Sequence, residues 1–149
     1  MQLTRRKHID RIENFLKQVP ESCTNGDGTI PVHHYFQDGI YTREIEIPAG
    51  TLLTSEIHRY AHPSFLMVGK CIVMTERNGT EVIEAPKLMI TQAGTKRLIY
   101  VLETCVWCTV HRTDKTTIKA AEEDIIAPDY NDKILLQNKD RLLEAISCQ

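Results

Sequence analysis

The sequence predicts a mainly β fold, a single β-barrel of short strands that lies between an N-terminal and a C-terminal helix. Two observations carry this prediction. Hydrophobic and polar residues alternate from Val32 to about Arg112, and apolar residues with helical spacing are confined to the two ends of the chain. The chain has 149 residues, of which 42% are hydrophobic. That is enough for one domain with a sizeable core.

The first segment, residues 1–28, predicts a helix followed by a loop. Apolar residues with charges between them indicate an amphipathic helix from Leu3 to Val19. They are Leu3, Ile9, Ile12, Phe15, Leu16 and Val19. Pro20 ends the helix because its ring cannot continue the hydrogen-bond pattern, and the polar residues 22–28 form the loop.

The middle segment, residues 29–114, predicts the barrel. Stretches with a period of about two are bounded by turn residues. They indicate strands at Gly39–Ile47, Thr51–His58, Phe65–Glu76, Thr80–Ile83, Leu88–Thr91, Arg97–Leu102 and Cys105–Arg112. The pair Asn78-Gly79 is the strongest hairpin signal in the chain, because both residues tolerate the positive φ angles of a tight turn. We expect it to join the strands on either side.

The last segment, residues 115–149, predicts a loop and a final helix from Asn131 to Ile146. The apolar residues of this helix, among them Ile134, Leu135 and Leu142, would pack on the barrel or on a second subunit. We interpret all three segments as one domain, since no repeat or linker separates them.

Composition narrows the classes of partner. The formal charge is −2, and the short basic cluster Arg5-Arg6-Lys7 is interpreted as a solvated helix face, so no nucleic-acid partner is expected. No apolar run is long enough to span a membrane. Five cysteines, an odd number, do not form a disulfide framework. These observations together predict a cytoplasmic protein.

The segment between Gly50 and Gly69 holds the candidate functional residues. Side chains alternate across a strand, so Glu56 and His58 are expected on one face, and His62 has the same parity. Neutral imidazoles and a carboxylate suit a divalent ion such as Zn, Fe, Ni or Mn. We therefore predict a metal site here.

The spacing of these residues resembles the first signature of the cupin superfamily. Gly50 opens it, Glu56 and His58 stand at the first two ligand positions, His62 stands at the position of the usual glutamate, and Gly69 closes it. The second signature is similar to residues 93–97, except that its histidine is replaced by Arg97. A guanidinium offers only donors, so Arg97 cannot ligate a cation.

The resemblance covers about residues 40–112 and implies a jelly-roll barrel that commonly forms homodimers. It also implies a metal-dependent pocket that acts on a small molecule. Glu56, His58 and His62 would be ligands, with His111 as the residue that completes the set.

Further pocket residues follow from strand parity. Tyr41 and Arg43 share the apolar-bearing face of their strand, and Trp107 shares a face with His111, so these side chains are predicted to point inward. Arg43, Arg97, Trp107 and His34 are predicted to contact the substrate. His111, Tyr41 and Arg97 are the predicted catalytic residues, the first two for proton transfer and Arg97 for an anionic group.

Three functions remain open from the sequence. The first is a metal-dependent enzyme with oxygenase, isomerase or lyase type chemistry on an anionic or oxygenated small molecule. The second is a metal-independent pocket of histidines and arginines that binds or cleaves a phosphorylated small molecule. The third is a non-catalytic barrel with a structural or ligand-sensing role, because this fold hosts many functions.

Overall fold

The structure, a computed structural model, describes residues 2–19, 30–138 and 140. Its helices there are α1 (Gln2–Leu16) and α2 (Ile118–Ile125), and residues 133–138 are helical as well. The strands are β1 (Val32–Gln37), β2 (Ile40–Ile47), β3 (Leu52–Thr54), β4 (Ile57–His58), β5 (His62–Thr75), β6 (Gly79–Glu84), β7 (Lys87–Thr91), β8 (Arg97–Arg112) and β9 (Ile126–Ala127). The predicted N-terminal helix and the predicted hairpin at Asn78-Gly79 are confirmed.

The long strands β5 and β8 are shared by two halves of the main sheet. One half has the order β1-β2-β8-β5-β7, and the other has the order β3-β8-β5-β6, with all neighbours antiparallel. Register shifts between Leu66 and Cys71 mark the place where β5 passes from one half to the other. Gly69 lies at this bulge with a φ of 92°, and a Cβ there would collide with the carbonyl groups of Glu103 and Thr104. Only glycine fits that backbone.

The core lies between the inner faces of the two halves. Its buried members come from four strands, β2, β5, β6 and β8, and are Ile47, Leu66, Cys71, Val73, Ile83, Ile99, Val101, Cys105 and Trp107. Alternation along the strands explains this set, because successive side chains point to opposite faces. The mainly β jelly-roll architecture with a helix near each end is the one predicted from the sequence.

The segments outside the sheet are fixed to it at specific places. Helix α1 docks through the Arg6–Glu76 ion pair and through Glu13, whose carboxylate lies 2.5 Å from the Lys96 ammonium. Helix α2 packs Ala121 and other apolar side chains on the buried ring of Tyr41. Among the described helices, none has both the length and the apolar character needed to cross a membrane.

Several predicted boundaries were wrong. The stretch predicted as one strand, Thr51–His58, is divided into β3 and β4, and residues 55 and 56 belong to neither. The strands predicted at 97–102 and 105–112 are one continuous strand, β8. Helix α2 was not predicted at all. The predicted C-terminal helix begins at residue 133 in the structure, and residues 141–149 lie outside the described part of the chain.

Candidate metal centre

Three histidines meet at one end of the sheet, each delivered by a different strand. His62 is the first residue of β5, His111 is the penultimate residue of β8, and His58 is the last residue of β4. Their position follows from the register, in which His111 lies opposite Tyr41 of β2 and His62 lies opposite Thr91 of β7. Four residues further along, the same faces of β2, β8 and β5 carry Ile45, Trp107 and Leu66. The polar cluster therefore borders directly on the apolar core.

The three imidazoles are close enough to share one ion. The ring centroids are 4.4 Å apart for His58 and His62, 4.4 Å for His62 and His111, and 5.0 Å for His58 and His111. One nitrogen from each ring lies within 4.8 Å of the other two. A tetrahedral zinc site, with metal–nitrogen distances of about 2.0–2.1 Å, places its ligand nitrogens about 3.4 Å apart. The side chains would have to rotate to reach that spacing around an ion.

Hydrogen bonds orient two of the rings. His62 Nδ1 lies 3.1 Å from the carbonyl oxygen of Tyr60. A carbonyl only accepts, so Nδ1 carries the proton and donates it, and the lone pair lies on Nε2. His111 Nε2 lies 2.9 Å from Thr109 Oγ1, and donation to this hydroxyl leaves Nδ1 as the free ligand atom. A second partner that fixes the tautomer is the usual arrangement around metal-binding histidines.

Burial keeps the three histidines neutral. It lowers the pKa of His62 from 6.5 to about 4 and the pKa of His111 from 6.5 to about 3. The pKa of His58 lies well below 6.5, first because of burial and then because His62 and His111 are so near. Arg97 and Arg43 add positive charge in the vicinity and act in the same direction. Neutral imidazole is the form that binds a metal, so the group is ready to ligate at neutral pH.

Glu56 does not join the histidines, which corrects the ligand set predicted from the sequence. Its side chain is exposed and lines a surface pocket together with Glu13 and Lys96. The prediction assumed that an unbroken strand would place Glu56 and His58 on one face. Because the strand is interrupted at residues 55 and 56, the alternation does not carry through. The group that the structure brings together is His58, His62 and His111.

Arg97 points inward, and it makes no ion pair with any described carboxylate. Its Nη2 donates a 2.6 Å hydrogen bond to Thr91 Oγ1, and Thr91 Oγ1 lies 2.7 Å from Ser64 Oγ. The guanidinium carbon lies 5.6 Å from the ring centroid of Trp107. Burial lowers the pKa of Arg97, but a guanidinium remains charged at neutral pH. Glu81 is near enough to act against this shift, but no carboxylate of the described residues is within ion-pair distance, so the inward cation is suited to an anionic ligand.

Tyr41 and His34 form a second polar pair beside His111. The phenol oxygen of Tyr41 lies 2.8 Å from His34 Nδ1, and the Tyr41 ring centroid lies 5.8 Å from that of His111. Burial raises the pKa of Tyr41 to about 12 and lowers that of His34. Tyr41 therefore keeps its proton, and its hydroxyl is hydrogen-bonded to the neutral His34 ring.

The remaining predicted site residues lie at the margins of the histidine group. Arg43 is half-buried, opposite both His34 and Thr109 in the sheet. Its charge lowers the pKa of His58 and of His111, so it faces the same space. Trp107 is 5% exposed and is part of the core. It contacts the site through Arg97.

Sequence reasoning missed three hydroxyl side chains that the structure brings to the site. Thr91 and Ser64 connect to Arg97, and Thr109 orients His111. The signal for Thr109 and Ser64 was their parity, because each lies two residues from a histidine on the same strand. Thr91 had no such signal, since only the cross-strand register places it opposite His62.

Comparisons with known proteins agree with the fold. No protein-family model matches the sequence, and a search of curated proteins found no match. Among solved structures, one similar protein has a double-stranded β-helix domain and comes from Klebsiella pneumoniae, with a TM-score of 0.50, 10% identity, and coverage of 63% of this chain and 85% of that chain. KdgF from Halomonas sp. is similar at a TM-score of 0.50 and 8% identity, with coverage of 62% and 87%.

A third similar structure, at a TM-score of 0.48 and 12% identity, is an RmlC-like cupin family protein with a double-stranded β-helix fold from Methanocaldococcus jannaschii. The matched region covers 61% of this chain and 86% of that protein's chain. At these identities the likeness concerns the fold alone. The chain has a double-stranded β-helix fold, which agrees with the mainly β jelly roll predicted from the sequence.

Proposed function

We propose that this protein binds a divalent metal ion through His58, His62 and His111 and uses it to act on a small anionic or oxygenated molecule. The observation that carries the proposal is the meeting of three neutral imidazoles from three separate strands. Burying polar rings costs free energy, so the convergence of two buried histidines and one half-buried histidine favours a ligand-binding role over a purely structural one. Zinc, iron, nickel and manganese all suit imidazole ligands.

The chemistry supplied by a bound ion is Lewis-acid activation of an oxygen atom on the substrate or on water or dioxygen. The protein contributes the orientation of the ligands, with Tyr60 and Thr109 holding two of the rings. Arg97 binds an anionic group of the substrate beside His58 and His62, and Thr91 fixes the direction of its guanidinium. Arg43, on β2, supplies a second positive charge near His111.

Tyr41 has the role of a proton donor rather than of a base. Its raised pKa keeps the phenol protonated, and a proton that it gives to the substrate would be replaced through the hydrogen bond from His34, a half-buried ring. Oxygenase, isomerase or lyase type chemistry is compatible with these groups. The apolar wall beside the centre favours a small organic substrate.

A metal-independent pocket for a phosphorylated molecule is the second candidate function, favoured by the inward charge of Arg97. Its weakness is the state of the histidines. General acid catalysis requires a protonated imidazole near pH 7, and burial keeps the pKa of His62 at about 4 and that of His111 at about 3. A bound anion would have to raise these values substantially for this reaction to proceed.

Elemental analysis by mass spectrometry of untagged protein, purified without chelator, tests the proposal. We expect a near-stoichiometric metal in the wild type and in His33→Ala, which removes an exposed histidine outside the group. We expect the metal to be lost in His62→Ala and in His111→Ala. Removing a ligand should weaken metal affinity by more than the roughly 100-fold that results from mutating a residue hydrogen-bonded to a ligand.

A wild-type protein that is metal-free and does not bind added Zn²⁺, Fe²⁺, Ni²⁺ or Mn²⁺ would overturn the metal proposal. Phosphate binding that depends on Arg97 would then support the metal-independent pocket, and the absence of both would favour a structural or sensing role. The homodimer and the cytoplasmic location stay predictions, and sedimentation velocity tests the first.

A further inference from the structure

His58 reaches the candidate centre on a strand that the main sheet does not hold. Strand β4 has two residues and pairs with β9, where His58 lies opposite Ile126. A two-residue pairing is marginal by itself. The other backbone contact of His58 is its carbonyl oxygen, which accepts a 2.9 Å hydrogen bond from the amide of Gly94. His62 and His111, in contrast, lie on the long central strands β5 and β8. The position of His58 therefore depends on whatever fixes β4 to the rest of the chain.

The next residue, Arg59, makes most of the contacts that hold β4 to the rest of the chain. Its Nη1 donates to the carbonyl oxygens of Glu123 at 2.6 Å and of Asp124 at 3.1 Å, at the end of α2. These carbonyls lie in the last turn of the helix, where no helical partner remains for them and where positive charge is favourable. Its Nε and Nη2 donate to the two carboxylate oxygens of Asp132 at 3.1 and 2.9 Å. The guanidinium thus joins the C-terminus of α2 to the segment that follows.

The backbone of Arg59 continues the same connection. Its amide donates to the carbonyl of Ile125 at 2.8 Å, and its carbonyl accepts from Asn138 Nδ2 at 2.9 Å. Asp132, the carboxylate partner of Arg59, also accepts a 2.9 Å hydrogen bond from the amide of Leu135 and so caps the helical residues 133–138. The two charged side chains are mostly buried, with 15% and 9% of their surface exposed. A buried bidentate pair of this kind has a defined geometry, which a flexible surface pair lacks.

We propose that Arg59 is a positioning residue for His58. By binding α2 and Asp132, it ties the third histidine to the segment of residues 118–138, so metal affinity and the order of that segment depend on each other. This inference rests on the proposed metal site. It follows by linkage that a metal bound at His58 stabilises the C-terminal segment as much as the intact segment strengthens metal binding.

Metal affinity of the full-length protein tests the inference, measured as competition for Zn²⁺ and Co²⁺ against a chromogenic chelator. Arg59→Lys keeps the charge but loses the bidentate fork, and Asp132→Asn keeps an oxygen for the Leu135 amide but loses the ion pair. We expect both to weaken binding by roughly 10-fold or more, the range for residues behind metal ligands. Glu76→Gln is the matched control, since it breaks a bidentate ion pair with Arg6 on α1, and we expect a change within about twofold.

A second readout separates positioning from general stability. Hydrogen exchange of residues 118–138 is measured with and without Zn²⁺, at a temperature where every variant is folded. We expect Zn²⁺ to slow exchange there in the wild type and in Glu76→Gln, and to lose this effect in His58→Ala and Arg59→Lys. The protection of the central strands serves as the internal reference.

The outcomes distinguish the inference from the proposal that it builds on. A wild type that binds neither Zn²⁺ nor Co²⁺, and also none of the ions Fe²⁺, Ni²⁺ and Mn²⁺, overturns the metal site and with it the inference. A wild type that binds metal, with Arg59→Lys and Asp132→Asn as tight as Glu76→Gln, overturns the role of Arg59 alone. The same holds if Zn²⁺ leaves the exchange of residues 118–138 unchanged in the wild type.

Discussion

The guanidinium of Arg97 lies over the indole of Trp107, with 5.6 Å between the guanidinium carbon and the ring centroid. A cation above an aromatic face is attracted by the negative potential of the ring. Trp107 is the only tryptophan in the sequence, and it is 5% exposed. A change at Arg97, in the proposed anion site, should therefore alter the fluorescence of the single tryptophan.

Anion binding at Arg97 is expected to change the intrinsic fluorescence of Trp107. Titration with inorganic phosphate, and separately with a small carboxylate such as acetate, should give a saturable change in the wild type, because a bound anion neutralises the charge over the indole. Arg97→Gln should abolish the saturable change. Arg112→Gln, which removes an exposed charge at the end of the same strand, should leave it intact.

Equal titration curves for the wild type and Arg97→Gln would contradict this prediction. A carboxylate that is effective where phosphate is not, or the reverse, would identify the class of anion that the site prefers.

The metal-free protein is expected to lose stability as the pH falls from 7 to 5. The unfolded chain takes up protons near a histidine pKa of 6.5, whereas folded His62 and His111 do so at about 4 and about 3. Throughout this window the unfolded state binds more protons, so the free energy of unfolding decreases with decreasing pH. Each such histidine contributes a slope of up to about 1.4 kcal/mol per pH unit. Denaturant unfolding at several pH values, in the presence of a chelator, measures this slope.

The variant for comparison is His62→Gln, which should have a shallower slope between pH 7 and 5, although its absolute stability differs. Burial also lowers the pKa of His34, so the free energy of unfolding of the variant is still expected to decrease somewhat between pH 7 and 5. The carboxylates with lowered pKa values, Glu13 and Asp132, contribute only in more acidic solution. Identical slopes in the wild type and the variant would show that His62 titrates normally in the folded protein.

Gly69→Ala is expected to destabilise the protein more than Gly50→Ala. Both glycines have a positive φ, 92° and 84°, which costs alanine about 1–2 kcal/mol. At Gly50 a new Cβ meets nothing within 4 Å, whereas at Gly69 it meets the carbonyls of Glu103, at 2.8 Å, and Thr104. These are backbone atoms of the neighbouring strand, which cannot rotate away.

We expect Gly50→Ala to cost about 1–2 kcal/mol and Gly69→Ala to cost at least about 2 kcal/mol more, because the paired strands must separate. The difference between the two free energies of unfolding isolates the collision from the backbone strain that both variants share. Equal values would mean that β5 and β8 separate at the bulge without cost.

The fold and much of the site were predictable because both depend on local patterns. Alternation in β2 and β8 placed Tyr41, Trp107 and His111 on inward faces, and the spacing of His58 and His62 matched that of a known motif. Residues on the same strand keep their relative direction whatever the tertiary fold. Three of the four predicted metal ligands are therefore in the group that the structure brings together.

The remainder was missed because its signals were either non-local or short. The prediction of Glu56 as a ligand depended on one continuous strand. The strand is interrupted at residues 55 and 56, and Glu56 lies outside the site. Helix α2 did carry a local signal, in the N-cap Thr117 followed by helix-forming Ala and Glu residues, but it is only eight residues long. The role of Arg59 had no local signal, because its partners lie 64 to 79 positions away in the sequence.

The pairing of β4 with β9 sets the order in which the centre can be completed during synthesis. A nascent chain that has emerged as far as Arg112 holds all three histidines, and β5 and β8 can already pair to bring His62 and His111 together. The strand that carries His58 still lacks its partner, since Ile126 and Asp132 are not yet available. At the proposed metal centre, binding through all three histidines would therefore come after the pairing of β5 with β8.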